Sequence, residues 1–215
     1  MKLLLVAATE SELAPLLSHY PEKKDFSLMI GNHSVDILIT SVGMVATAFA
    51  LGGHLANNKY DLAVNAGIAG SFDFNLSLGE PVLVTEDIFA EQGAEDGEEF
   101  LKLDSLGFGN THQFPYTNQI KSSFELPNLK KVKAITVNTV HGNELSISKV
   151  IALFKPQIES MEGAAFFYAC NKTSTPCIQI RSISNYVERR NREKWNIPLA
   201  INSLNTALIE FIKSV

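Results

Sequence analysis

Ser160-Met161-Glu162-Gly163-Ala164-Ala165 sets a carboxylate at the mouth of an apolar, helix-forming run. Further along, Arg181-Ser182-Ile183-Ser184-Asn185 ends an apolar strand in an amide. A glutamate accepts hydrogen bonds on two oxygens and can hold two vicinal hydroxyls; an amide both donates and accepts and can read a purine edge. Together they would grip a nucleoside by its sugar and its base. Glu12 lies just past the end of the first strand, where sites in open α/β sheets gather, and is a candidate base for water. Each also has a plainer use. Glu10 and Glu12 both suit the first turn of a helix, whose dipole favours acids. Glu162 fits a helix cap with Ser160 at the N-cap position, and Asn185 fits an Asx-turn. His112 and His141 are candidate acid/base groups, with no Ser or Cys partner and no metal-ligand spacing to support them.

The elements that must carry these groups follow from the hydrophobic pattern. Leu3–Ala8 is a continuous apolar run, expected of a strand buried on both faces, and Glu10–Leu17 has a short helical pattern. Ser27–Ile30 and Ser34–Thr40 flank a Gly31-Asn32 turn, a hairpin signal. Met44–Asn57 is Ala-rich with helical spacing. Leu62–Asn65 is a second buried strand, expected to end at the glycine-rich turn 66–71. Pro81–Thr85 is a strand that Asp87–Ala90 can extend. Residues 92–129 read as a long irregular loop, a feature that in a compact domain usually serves function. Lys133–Val137 and Cys177–Ile183 read as strands, and Glu144–Phe154, Met161–Lys172 and Asn196–Lys213 as helices. Strands alternating with helices predict an α/β fold of three layers, α/β/α, around a twisted mixed sheet.

Gly43, in Ser41-Val42-Gly43-Met44, and the run Gly67-Ile68-Ala69-Gly70-Ser71 both follow apolar strands, where glycine lets backbone approach a ligand. Neither has the spacing of a dinucleotide fingerprint, nor the lysine of a P-loop. At successive strand ends they suggest one lined crevice.

Composition sets the frame. The chain has 215 residues, 46% of them hydrophobic, and can bury roughly 70% of its unfolded surface. No linker-like stretch or shift in composition interrupts it, so one domain over 1–215 is expected. A net charge of −5 argues against a nucleic-acid partner. The basic cluster Arg189, Arg190, Arg192, Lys194 fits a solvated helix face. Cys170 and Cys177 form no disulfide or metal pattern and fit the core. Six apolar residues near the N-terminus are too few for a signal peptide or a membrane span. A cytoplasmic protein with no membrane partner, metal or cofactor is expected.

Read together, these motifs resemble the nucleoside phosphorylase and nucleosidase superfamily, over almost the whole chain. Within it they resemble the branch of methylthioadenosine/S-adenosylhomocysteine nucleosidases and futalosine hydrolases. "LLVAATESEL" looks like the family's first strand and its water-activating glutamate, at Glu12. "TSVGMVATA" and "VNAGIAGSF" look like its glycine-containing turns, which implies substrate contacts at Gly43, Ala69 and Gly70. "ESMEGAA" matches the Met-Glu pair that holds the ribose, at Met161 and Glu162. "RSISNYV" occupies the place of the purine-reading strand end, at Ser184 and Asn185.

Two departures refine what the resemblance implies. The adenine-releasing members end the last motif in Asp; here Asn185 stands there, and an amide suits a 6-oxopurine such as hypoxanthine better than adenine. The phosphorylases hold phosphate with early arginines; this chain has none before Arg181, and Lys23 and Lys24 lie in a polar stretch, so water is the expected nucleophile. The resemblance therefore implies hydrolysis of futalosine to hypoxanthine and dehypoxanthinyl futalosine, on a route to menaquinone. A methylthioadenosine/S-adenosylhomocysteine nucleosidase, a purine nucleoside phosphorylase and a non-catalytic nucleoside-binding domain are the alternatives. In the related nucleosidases a neighbouring subunit closes the 5′ pocket. By that likeness a homodimer or higher homo-oligomer is expected, with Phe114 and Pro115 serving across its interface near Phe108 and Tyr116.

Overall fold

The computed structural model describes residues 1–21, 27–108 and 128–215, and for 113–115 the backbone alone. The first strand, β1 (Lys2–Ala7), shows how the layers form. Successive side chains of a strand point to opposite faces. Leu3, Leu5 and Ala7 accordingly pack with Leu13 and Leu16 of α1 (Glu10–His19) and with Leu204, Leu208 and Phe211 of α5 (Ile197–Ser214). Leu4 and Val6 pack on the other side with Leu51 and Leu55 of α2 (Met44–Asn57) and with Phe166 and Phe167 of α4 (Gly163–Lys172). The fold is thus the expected α/β/α sandwich around a mixed sheet.

The other strands of that sheet are β2 (Ser27–Ile30), β3 (His33–Ile39), β4 (Leu62–Ser71), β5 (Pro81–Phe89), β8 (Gln113–Pro115), β9 (Lys130–Thr136), β10 (Ile158–Ser160) and β11 (Cys177–Tyr186). Their order is β10-β9-β5-β11-β4-β1-β3-β2, with β8 alongside β5. β10 also pairs antiparallel with β4, so β4, β11, β5, β9 and β10 close into a ring. The closure depends on three residues, too few for a periodic signal. α3 (Glu144–Phe154) has the bounds its sequence predicts, with Asn143 capping the amides of Leu145 and Ser146.

Three expectations are corrected. Residues 66–71 do not turn: β4 runs on to Ser71, and its glycines make room for side chains of its neighbours. A Cβ on Gly67 would overlap the Arg181 guanidinium and come within 2.9 Å of Glu12 Oε1. Residues 92–129 are not wholly irregular, since β6 (Gly93–Asp96) and β7 (Glu99–Lys102) form a hairpin with Gly97 at its tip in a left-handed conformation, φ +63°. The basic cluster is not a helix face: a single 3₁₀ turn, Arg192–Lys194, holds two of its members. His112, Tyr116, Lys23 and Lys24 lie outside the described residues, as do the side chains of Phe114 and Pro115, whose backbone in β8 pairs with Asp87 and Glu86.

Candidate active site

The C-terminal ends of β1, β4 and β11 meet the start of α4 around a cavity of about 300 Å³. It brings together eight of the sequence-predicted site residues: Glu12, Ala69, Gly70, His141, Met161, Glu162, Ser184 and Asn185. Gly43 borders it by donating its backbone N–H to Glu162 Oε1 at 3.1 Å. Gly43 has φ +100° as the N-cap of α2, a conformation open to glycine, and this turns its amide toward the carboxylate.

Glu12 serves a helix and a site at once. It is the third residue of α1 and accepts from the Thr9 backbone N–H at 3.0 Å and the Thr9 hydroxyl at 3.2 Å, closing a capping box. Its other oxygen accepts from the Ile68 N–H at 3.3 Å. Burial pushes its pKa above the ordinary carboxylate range, the charge of Glu162 adds to this, and the Arg181 guanidinium opposes it. A buried carboxylate with a raised pKa is a stronger base than an exposed one.

Glu162 is the N-cap of α4, yet its side chain makes no capping bond. The carboxylate turns instead to Gly43 and to Arg181 Nη1, 3.4 Å from its Oε2. That separates it from a plain capping acid. Ser160 takes part in the cap, accepting from the Gly163 amide at 3.3 Å.

Asn185 owes its position to a break in register. β11 pairs residue for residue with β4 up to Ile183, then skips Ser184, so that Asn185 lies opposite Gly70. A bulge of this kind bends a strand and re-aims its side chains. The Ser184 hydroxyl donates to Asn185 Oδ1 at 2.8 Å, and Asn185 Nδ2 donates to the Tyr186 carbonyl at 3.0 Å. One amide hydrogen and one lone pair remain for a ligand.

Sequence reasoning missed the group that ties the site together. Arg181 is 1% exposed and donates to Glu162, to Gln179 at 2.8 Å and to Asn65. Gln179 in turn donates to Asp87 at 3.0 Å, and the Thr136 hydroxyl donates to Asp87 at 2.8 Å. Asp87 is fully buried, and desolvation lifts its pKa to about 6. Gly163 opens α4 directly over this chain: a Cβ there would overlap both Asp87 and Gln179. The signal was available, because Gln179 and Arg181 are large polar residues at alternate positions of the run Cys177–Arg181, whose other members are apolar. A buried cation on a strand needs a buried partner.

Beyond Asn185 the cavity runs on to Glu188, Arg190 and Trp195. The Arg190 guanidinium lies over the Trp195 ring, 4.9 Å from its centroid. Arg190 also lines an adjoining hollow of about 630 Å³ with Arg189 and Lys194.

The sequence matches the Phosphorylase superfamily over residues 2–213. It is 30% identical over 155 residues to a futalosine hydrolase of Streptomyces coelicolor, a match spanning 72% of this chain and 66% of that protein. It is 29% identical over 175 residues to a futalosine hydrolase of Thermus thermophilus, spanning 80% of this chain and 78% of the relative. The fold is similar to that of the 5′-methylthioadenosine/S-adenosylhomocysteine nucleosidase of Neisseria meningitidis in complex with methylthio-immucillin-A. There the TM-score is 0.82 at 17% identity, covering 100% of this chain and 99% of the other. With a family match over nearly its whole length, the chain belongs to the phosphorylase superfamily.

Proposed function

We propose that the protein is a nucleosidase that hydrolyses the N-glycosidic bond of futalosine and releases hypoxanthine, in a route to menaquinone. The observation that carries this reading is the convergence of Glu12, Glu162 and Asn185 on one cavity. As the bond breaks, positive charge builds on the ribosyl group and negative charge on the base. Glu162 accepts from the ribose hydroxyls and stabilises the cationic sugar through a fixed, partly desolvated charge. Glu12 orients and deprotonates the attacking water. Asn185, steadied by Ser184, hydrogen-bonds the 6-oxopurine. Water rather than phosphate suits the site, because Arg181, the buried cation among the described residues, is already bonded to three side chains.

The test is base release, followed by chromatography, from futalosine, inosine and methylthioadenosine, each with and without phosphate. Hypoxanthine from futalosine, indifferent to phosphate, is expected. Adenine from methylthioadenosine would overturn the base assignment; dependence on phosphate would overturn the hydrolytic step. Asn185→Asp should shift the ratio of 6-oxopurine to adenine turnover toward adenine, and an unchanged ratio removes Asn185 from base selection.

A homodimer is part of the same proposal. α2 leaves Val45 and Phe49 exposed, and Val45 lines a hollow with Tyr168 of α4, an apolar face of the kind that marks association surfaces. Gel filtration giving a monomer at micromolar concentration would refute it.

A further inference from the structure

The scheme above lacks a proton for the departing base, since the Asn185 amide has none to give. A second buried acid beside it has no role in that scheme. Glu159, on β10, is 3% exposed and accepts from His141 twice: the backbone N–H reaches one oxygen at 3.0 Å, and ring Nδ1 lies 2.6 Å from the other. The register fixes where this pair stands. β10 places Glu159 opposite Gly70, and β11 places Asn185 opposite the same glycine from the other side. A Cβ on Gly70 would lie 3.2 Å from Asn185 Nδ2 and 3.6 Å from Glu159 Cγ. Both side chains therefore stand on one face of the sheet, across a residue that has none. His141, Glu159 and Asn185 all line the same cavity.

We propose that His141 is the proton donor to the leaving base and that Glu159 is its positioning residue; this rests on the reading of the site as a nucleosidase. A carboxylate only accepts, so Nδ1 is fixed as a donor to Glu159. Nε2, which no described residue engages, is the nitrogen that delivers the proton. The C1′–N9 bond breaks and its electron pair stays with the base. A ring nitrogen of the base takes the proton from Nε2, leaving a neutral imidazole that still donates to Glu159. Water adds to C1′, and its proton passes to Glu12. His141 also lines a second cavity, of about 560 Å³, walled by the exposed Glu98 and Lys149. Through it the ring can be recharged from solvent without opening the substrate site.

His141→Gln and Glu159→Gln test this with two substrates. One is futalosine or inosine, whose base must be protonated to leave. The other is 4-nitrophenyl β-D-ribofuranoside, whose nitrophenolate leaves without a proton. The expected result for His141→Gln is a loss of kcat of about 10²-fold on the purine nucleoside, the usual scale of general-acid catalysis, with the nitrophenyl rate near wild type. Glu159→Gln should show the same selective loss, but smaller. Added imidazole should restore purine turnover to His141→Ala in a saturable way. Equal losses on both substrates, or unchanged purine turnover, overturn the assignment. If the nitrophenyl riboside is not a substrate, imidazole rescue decides, and absence of rescue overturns it. A wild-type protein that cleaves no nucleoside overturns the nucleosidase reading itself, a distinct outcome.

Discussion

Two regions of the sheet, the layer under α1 and α5 and the patch under the start of α4, are built on different principles. Under α1 and α5 the contacts are mostly apolar, among Leu3, Leu5, Leu13, Leu16, Leu204, Leu208 and Phe211, with one buried amide, Asn205, that accepts from the Leu16 N–H and donates to the Glu12 carbonyl. Under the start of α4 a chain of buried polar groups runs from Asp87 through Gln179 and Arg181 to Glu162. Apolar burial is non-directional and tolerates many solutions. A buried ionic chain adds little net stability, because desolvation opposes the attraction, but each member fixes the direction of the next. Apolar packing on both faces holds the fold together; the polar chain under the start of α4 aims carboxylates.

The contrast can be broken from either side. Arg181→Met should have the largest effect, costing about 3–5 kcal/mol in denaturant unfolding by stranding Glu162 and its neighbours, and abolishing turnover as well. A stable, active variant would mean that the polar chain does not position the site. Glu12→Gln should lower kcat by about 10²–10⁴-fold while nucleoside binding and the melting temperature change little. Because burial raises the Glu12 pKa, wild-type activity should rise with pH along an acid limb that lies above the ordinary carboxylate range; a limb within that range would place the base elsewhere. Leu208→Ala should do the reverse of Glu12→Gln, losing about 2–5 kcal/mol of stability with kcat per folded molecule unchanged.

The subtlest effect concerns Asp87. Its pKa stands at about 6 in the fold against an ordinary 3.8, so between those values the folded chain holds a proton that the unfolded chain has released. The contribution of this group to stability is present below about pH 4 and lost as pH rises toward 6, by ~3 kcal/mol. Asp87→Asn should flatten that slope in urea unfolding measured across the range; an undiminished slope would assign it to another group.

The apolar face was the more legible of the two. Leu3–Ala8, Glu10–Leu17 and the closing helix announce themselves by period and caps, signals that live within a few neighbours in sequence. Asn185 and Glu162 could be singled out by type, but the bulge at Ser184 and the turn of Glu162 away from its own helix depend on partners more than a hundred residues distant, Gly70 and Gly43. Arg181 stood in plain view within a quoted motif and passed unassigned, because its meaning lies in Asn65, Gln179 and Glu162 together. Residues 66–71 misled for the same reason: glycines that make room for another strand's side chains look, in one dimension, like a turn.

The closure of β10 onto β4 also decides where the molecule can be joined by a stranger. A β-strand with an unpaired margin is a template on which another chain can extend the sheet. Ring closure takes β4, β5, β9, β10 and β11 out of reach in one stroke. Among the described strands, the margins left are those of the three-residue β8, the four-residue β2 and the four-residue hairpin strands β6 and β7, all short footholds for edge-to-edge aggregation. The same three residues that carry Glu159 to the cavity thus also seal the sheet.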